Sequence, residues 1–202
     1  MVPFRLFLIT DRRLAGDLPG AVAKALAVVP RGAAAVQLRE KDLPTSKLLE
    51  LARALVAVCR PRGAPLLIND RPDVALASAA DGVHLTGGSV SVEEARSLLG
   101  QRLIGASCHT PAELEARAGA DFATFSPIFP SPGKGDPLGL GALASAARSP
   151  VPLFALGGVD ASNAGDVIEA GAQGVAAIRS WLLPDPASAT ALLHARISAR
   201  EN

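Results

Sequence analysis

The sequence has no tyrosine, one tryptophan and only 3% aromatic residues among 202. An aliphatic core is therefore expected, and the stacking platforms that grip nucleic-acid bases are missing. A block of one charge sign is missing too: the formal net charge is +1, charged residues make up 19%, and no basic tail is present, which speaks against a nucleic-acid partner. The two cysteines, Cys59 and Cys108, lack any paired ligand spacing, so neither a disulfide framework nor a zinc site is indicated. Both are read as small buried or half-buried thiols. No apolar run is long enough for a membrane span, and the opening segment has neither a basic flank nor a cleavage site. No membrane association is expected, and the location is read as cytoplasmic. No stretch longer than a loop is rich enough in Pro, Gly or Ser to act as a linker, so one domain over residues 1–202 is expected.

Short apolar runs are what the chain has in quantity, at Leu6–Thr10, Ala34–Leu38, Pro65–Ile68, Gly82–Leu85, Leu103–Ala106, Phe122–Phe125, Pro152–Leu156 and Gly174–Ile178. Each reads as a buried strand. Longer stretches with helical spacing separate them, clearest in Leu48–Val56 and Val92–Leu99. Thr110 before Pro111, with Glu113 three residues on, marks a helix start, and Asp160, Ser162 and Asn163 offer caps for the next-to-last helix. About eight strand–helix units in this length predict a single α/β domain, a (β/α)8 TIM barrel. The alternative, a doubly wound open sheet, would carry a glycine-rich loop after the first strand, where Thr10-Asp11-Arg12-Arg13 stands instead.

In such a barrel the loops after the strands converge on a ligand, so polar residues at strand ends are the candidates. Lys134 stands alone as a cation in a loop punctuated by Pro132, Gly133, Gly135, Pro137 and Gly139. That loop reads as an active-site segment for an anionic substrate. Alternation through Val36–Lys41 sends Gln37, Arg39 and Lys41 to one side, a set that suits a phosphate or pyrophosphate and the edge of a heterocycle. The alternative there is a solvated strand end with Glu40 pairing locally. Asn69 and Asp70 suit a phosphate oxygen and a magnesium ion, or they cap the helix that begins near Pro72. Ser107, with the amides at the start of the Pro111 helix, can bind phosphate or satisfy a turn. Gly157, Gly158 and the Gly174–Ser180 segment fall at the corner where barrels cradle phosphate, although tight turns account for the glycines equally. His84, His109 and His194 read as packed or capping side chains, and no sequence-local Ser-His-Asp or Cys-His arrangement is present.

Taken in order, Leu8-Ile-Thr-Asp11, Gln37-Leu-Arg39-Glu-Lys41, Ile68-Asn-Asp-Arg71, Gly82-Val-His-Leu85, Gly105-Ala-Ser-Cys-His-Thr110, Pro127–Lys134 and Ala155-Leu-Gly-Gly158 resemble the thiamin phosphate synthase and TenI-like superfamily over nearly the whole chain. The resemblance implies a transferase that joins hydroxymethylpyrimidine pyrophosphate to thiazole phosphate and releases pyrophosphate. It implies small phosphorylated substrates and a Mg²⁺ cofactor, and it leaves the oligomeric state open, a homo-oligomer included. By the same resemblance Gln37 contacts the pyrimidine, while Arg39, Lys41, Asn69, Ser107 and Lys134 hold pyrophosphate. Asp70 is implied as a magnesium ligand, and Ser131, Gly158, Ile178 and Arg179 fall at the thiazole phosphate.

The chain departs from that pattern at several points. Ser89 stands where family synthases have a second metal-binding Asp, Ser131-Pro132-Gly133-Lys134 has one hydroxyl fewer than the usual loop, and Arg179 replaces a small hydroxyl residue. Ser89 is the choice of the TenI-like branch, whose thiazole tautomerases use a catalytic His; Pro127 stands at that position here. The synthase reading ranks first because it loses part of a metal site, whereas the tautomerase reading loses its proton carrier. A non-catalytic sensor of phosphorylated ligands is the third reading.

Overall fold

Each of the eight apolar runs is a strand in the computed structural model of the chain, which describes residues 2–199. In chain order these are β1 (Leu6–Ile9), β2 (Ala34–Leu38), β3 (Leu66–Asn69), β4 (Gly82–Leu85), β5 (Leu103–Cys108), β6 (Phe122–Phe125), β7 (Leu153–Ala155) and β8 (Gly174–Ala177). Every strand pairs in parallel with the next, and β8 pairs with β1, which closes the barrel. The expected TIM barrel is the observed fold. β3 and β7 begin one residue later than the apolar runs predict because Pro65 and Pro152 have no N–H for the ladder.

Helices return the chain between strands: α1 (Leu18–Ala27), α2 (Thr45–Cys59), α3 (Pro72–Ser78), α4 (Val92–Leu99), α5 (Pro111–Ala116), α6 (Gly139–Ala146) and α7 (Ala164–Glu169). After β8 come two, α8 (Arg179–Leu182) and α9 (Pro186–Ser198). The helix after Asn163 is therefore third from the end, and the side chain of Asn163 caps nothing. Asn163 instead accepts from the Asp160 N–H at 2.9 Å. Other starts follow their side chains closely. Ser91 and Glu94 form a reciprocal capping box on α4, and Asp17 and Asp185 cap α1 and α9. Among the described residues no helix is long and apolar enough to cross a membrane.

Two cores result from the alternation of the strands. Outward residues such as Leu8, Val36, Ile68 and Ile104 meet the helices in an almost wholly aliphatic layer. The barrel interior is different, and corrects the expectation of an aliphatic core. Phe4, Phe7, Phe122 and Phe154 fill it with His84, ring centroids lying 5.0–6.3 Å apart with several edge-to-face pairs. A small aromatic fraction was concentrated rather than dispersed. This packed plug closes the barrel interior, and the polar strand-end residues gather at the upper, C-terminal mouth.

Candidate active site

The ends of β2 and β3 build one side of the mouth. Gln37 is buried, and its amide nitrogen donates to Asn69 Oδ1 at 3.3 Å. Beyond them a cavity of about 260 Å³ is lined by Glu40, Lys41, Asn69, Asp70 and Arg71. Asp70 takes up a left-handed backbone conformation, φ 58°, which Asp tolerates better than most residues. Its carboxylate accepts from the hydroxyls of Ser89 and Thr86. It does not cap α3, since Arg71 occupies that place and turns its guanidinium to Asp73 at 2.6 and 2.8 Å.

A cavity of about 790 Å³ opens beside the first, lined by Asp11, Arg39, Ser131, Lys134, Gly157, Gly158, Ile178 and Arg179, with Leu183 and Leu192 on its outer wall. Strand ends β2, β7 and β8 and the β6–α6 loop all contribute to it. Among the described residues Arg39, Lys134 and Arg179 have no ion-pair partner, whereas Asp11 is engaged by Arg13 at 2.9 and 3.1 Å. The Arg13 contact holds the Asp11 carboxyl below its ordinary value. Asp160 lines the cavity too, its carboxylate held by the Ser162 N–H and hydroxyl, so three cations without ion-pair partners stand against two carboxylates and an anion is the ligand the cavity favours.

Of the residues expected at the site, Arg39, Ser131, Lys134, Gly157, Gly158, Ile178 and Arg179 line the larger cavity, and Lys41, Asn69 and Asp70 the smaller. Gln37 and Ser107 line neither. Gln37 lies beneath Asn69, and Ser107 is half-buried on the inward face of β5, opposite Thr124. Two of the amides around the start of α5 are taken up locally: Thr110 accepts the Glu113 N–H at 3.1 Å, and the Glu113 carboxylate accepts the His109 N–H at 2.6 Å.

Gly157 and Gly158 have φ of 90° and 66°. A Cβ on Gly157 would stand 2.8 Å from Pro127 Cα, and one on Gly158 2.6 Å from the Pro130 carbonyl oxygen. The close approach these glycines permit is to the chain's own β6–α6 loop, whose far end carries Ser131 and Lys134. Gly174 contributes nothing to the mouth. It begins β8 at the opposite end of the barrel, where an added Cβ would meet Phe154.

Sequence reasoning missed Glu40 as part of the site's frame. Instead of pairing locally, it is buried and accepts from the Thr10 hydroxyl at 2.8 Å, the Arg12 N–H at 3.0 Å and the Arg12 guanidinium at 3.1 Å. The only sequence signal was an acid flanked by two cations, which does not say that the β1–α1 loop will be its partner.

His84 and the two cysteines behave as packing groups. His84 is walled in by Phe7 and Phe122, and burial drives its pKa down to about 3, so it stays neutral. His109 Nδ1 donates to the Ser126 carbonyl at 2.7 Å, tying the β5 and β6 ends together. Cys59 and Cys108 are buried and unpaired, and burial pushes their thiols up to about 12 and about 11. As a metal centre the mouth offers no cluster of three or more His, Cys, Asp or Glu among the described residues. One carboxylate with hydroxyl and amide oxygens around it does fit Mg²⁺, which keeps several waters and shares its shell with substrate phosphates.

The family model described as thiamine monophosphate synthase matches residues 6–181. A provisionally assigned thiamine-phosphate synthase of Geobacter sulfurreducens is 49% identical over 195 residues, covering 92% of this chain and 90% of that one. The thiamine-phosphate synthase of a Roseiflexus species is 41% identical over 204 residues, covering 96% and 85%. Among solved structures, the thiamine phosphate pyrophosphorylase of Pyrococcus furiosus superposes with a TM-score of 0.88 at 32% identity, covering 98% of each chain.

Proposed function

We propose how the mouth works from one premise: the chain belongs to the thiamine monophosphate synthase family. The activity is that of a transferase, thiamin phosphate synthase, coupling hydroxymethylpyrimidine pyrophosphate with thiazole phosphate to give thiamin phosphate and pyrophosphate. In that reaction the bond from the pyrimidine methylene to pyrophosphate oxygen breaks, and its electron pair leaves with the pyrophosphate. The lone pair of the thiazole nitrogen then forms the new C–N bond. The attacking nitrogen carries no proton, so the protein needs neither a nucleophile nor a base.

What it must supply is charge stabilisation on the leaving group and exclusion of competing water. Arg39, Lys41 and Lys134 are the cations we assign to that charge, with Asn69 and Ser107 as hydrogen-bonding partners. Asp70 is the carboxylate that would hold Mg²⁺, whose chemistry there is to neutralise pyrophosphate oxygens. Gln37, oriented by Asn69, keeps its amide oxygen for the pyrimidine edge. Ser131, Gly157, Gly158, Ile178 and Arg179 are assigned to the thiazole phosphate. A cytoplasmic place accords with the two unpaired thiols.

The observation that carries the reading is the convergence of Arg39, Lys134 and Arg179, free of carboxylate partners among the described residues, on one cavity beside Asp70. Arg39→Ala and Lys134→Ala should each lower kcat/KM for pyrophosphate release by roughly 30- to 1000-fold, about 2–4 kcal/mol of transition-state stabilisation. Melting temperatures should move little. Unchanged kinetics in both variants would remove these two residues from the mechanism.

A further inference from the structure

Glu40 is a carboxylate with no place in the chemistry above, yet its side chain is only 2% exposed. It stands between the two cations assigned to pyrophosphate, Arg39 on the larger cavity and Lys41 on the smaller. All its contacts lead to the end of β1. Oε1 accepts from the Thr10 hydroxyl and from the Arg12 N–H, and Oε2 accepts from the Arg12 guanidinium. Thr10, itself fully buried, returns the link, because its hydroxyl oxygen accepts the Arg39 N–H at 2.9 Å while its own N–H donates to the Gln37 carbonyl at 2.9 Å. Outside, Arg12 is held by Asp42 through two bonds of 2.6 and 2.8 Å.

The circuit starts at the backbone of Arg39 and ends on the side chain of its neighbour. With Glu40 anchored, the loop that follows β2 is fixed on both sides of it, which holds Arg39 at the larger cavity and Lys41 at the smaller. The buried charge also offsets the mutual repulsion of three neighbouring cations, which would otherwise favour a splayed loop. We infer that Thr10, Glu40 and Arg12 are positioning residues that fix Arg39 and Lys41 in their pyrophosphate-binding places before substrate arrives. Fixed donors need no rearrangement when charge develops, which is where a misplacement of about 1 Å costs on the order of a hundredfold.

The inference rests on the assignment of Arg39 and Lys41 to pyrophosphate, so the test begins with that pair. Calorimetric titration with inorganic pyrophosphate and Mg²⁺ should show weakened binding in Arg39→Ala and Lys41→Ala; undiminished binding in both overturns the assignment and the inference with it. Given weakened binding, Thr10→Val should reduce pyrophosphate affinity and kcat by roughly 10- to 100-fold. KM for thiazole phosphate should stay within about twofold, and Thr10→Ser should restore most of the loss, because it returns the hydroxyl. Arg12→Gln, at a half-buried position, keeps a hydrogen-bond donor for Glu40 and should show the same selective effect more weakly. A lower melting temperature with normal pyrophosphate affinity, an equal loss toward both substrates, or no rescue by serine would make the network a structural brace and overturn the positioning role.

Discussion

His84 puts an imidazole among phenylalanines, and both ring nitrogens lack a hydrogen-bonding partner among the described residues. Burial, aided by the charge of Arg39, lowers its pKa from 6.5 to about 3. Between those values the unfolded chain binds a proton that the native chain refuses, so stability is complete above about pH 6.5 and is lost as pH falls toward 3. From pH 7.5 to 5 the urea-derived stability should fall by about 2 kcal/mol, and His84→Leu should flatten that slope. An unchanged slope would mean that some other group carries it. Asp42 acts in a separate, lower window: Arg12 depresses its pKa from 3.8 to about 2, so its contribution persists until pH falls below 3.8 and disappears on passing 2. Ser89 gives the second residue-level prediction. Its hydroxyl donates to Asp70, so Ser89→Asp would set two carboxylates side by side and should tighten Mg²⁺ binding by about tenfold in calorimetry. Superimposable titrations would take Asp70 out of the metal assignment.

Between elements, the contact that matters most is the β7 turn against the β6–α6 loop. Gly158→Ala combines a left-handed φ with a clash against Pro130 and Phe129, a cost of about 1–3 kcal/mol in stability. Because relief of that clash moves the loop bearing Ser131 and Lys134, KM should rise for both substrates together. A destabilised variant with normal KM values would show that the loop adjusts independently. Much at this scale was legible beforehand: β2, β4 and β6 match the apolar runs residue for residue because turn-forming neighbours bound them sharply. Local patterns could not reveal Glu40 reaching Thr10 and Arg12, since only closure of the barrel brings those loops together. The break between α8 and α9 had its signals in Leu183-Pro184 and the capping Asp185-Pro186, which a count of eight units passed over.

For the molecule as a whole, closure makes distant segments depend on each other. Cys59 ends α2 and Cys108 ends β5, both are buried, and neither thiol ionises appreciably at neutral pH. Folded protein at pH 8 should therefore resist a disulfide reagent. In urea the two sites should become reactive over the same concentration range, since opening one seam of a closed sheet removes partners from the next. Sequential labelling would instead divide the barrel into independently opening parts. The eightfold repeat made this architecture readable from apolar runs alone. The interior was not, because a composition of 3% aromatics does not say that four of the six phenylalanines gather there.

The same poverty of aromatics gives the molecule a single indole to emit, with no tyrosine to pass it energy. Trp181 is fully buried, its N–H donates to the Ile9 carbonyl at 2.9 Å, and it shares the four-residue α8 with Arg179 on the cavity wall. Fluorescence of the unlabelled protein is therefore a local signal from the place where the last strand hands over to the mouth. A shift on adding thiazole phosphate would be read there, without a dye and without averaging over other sites.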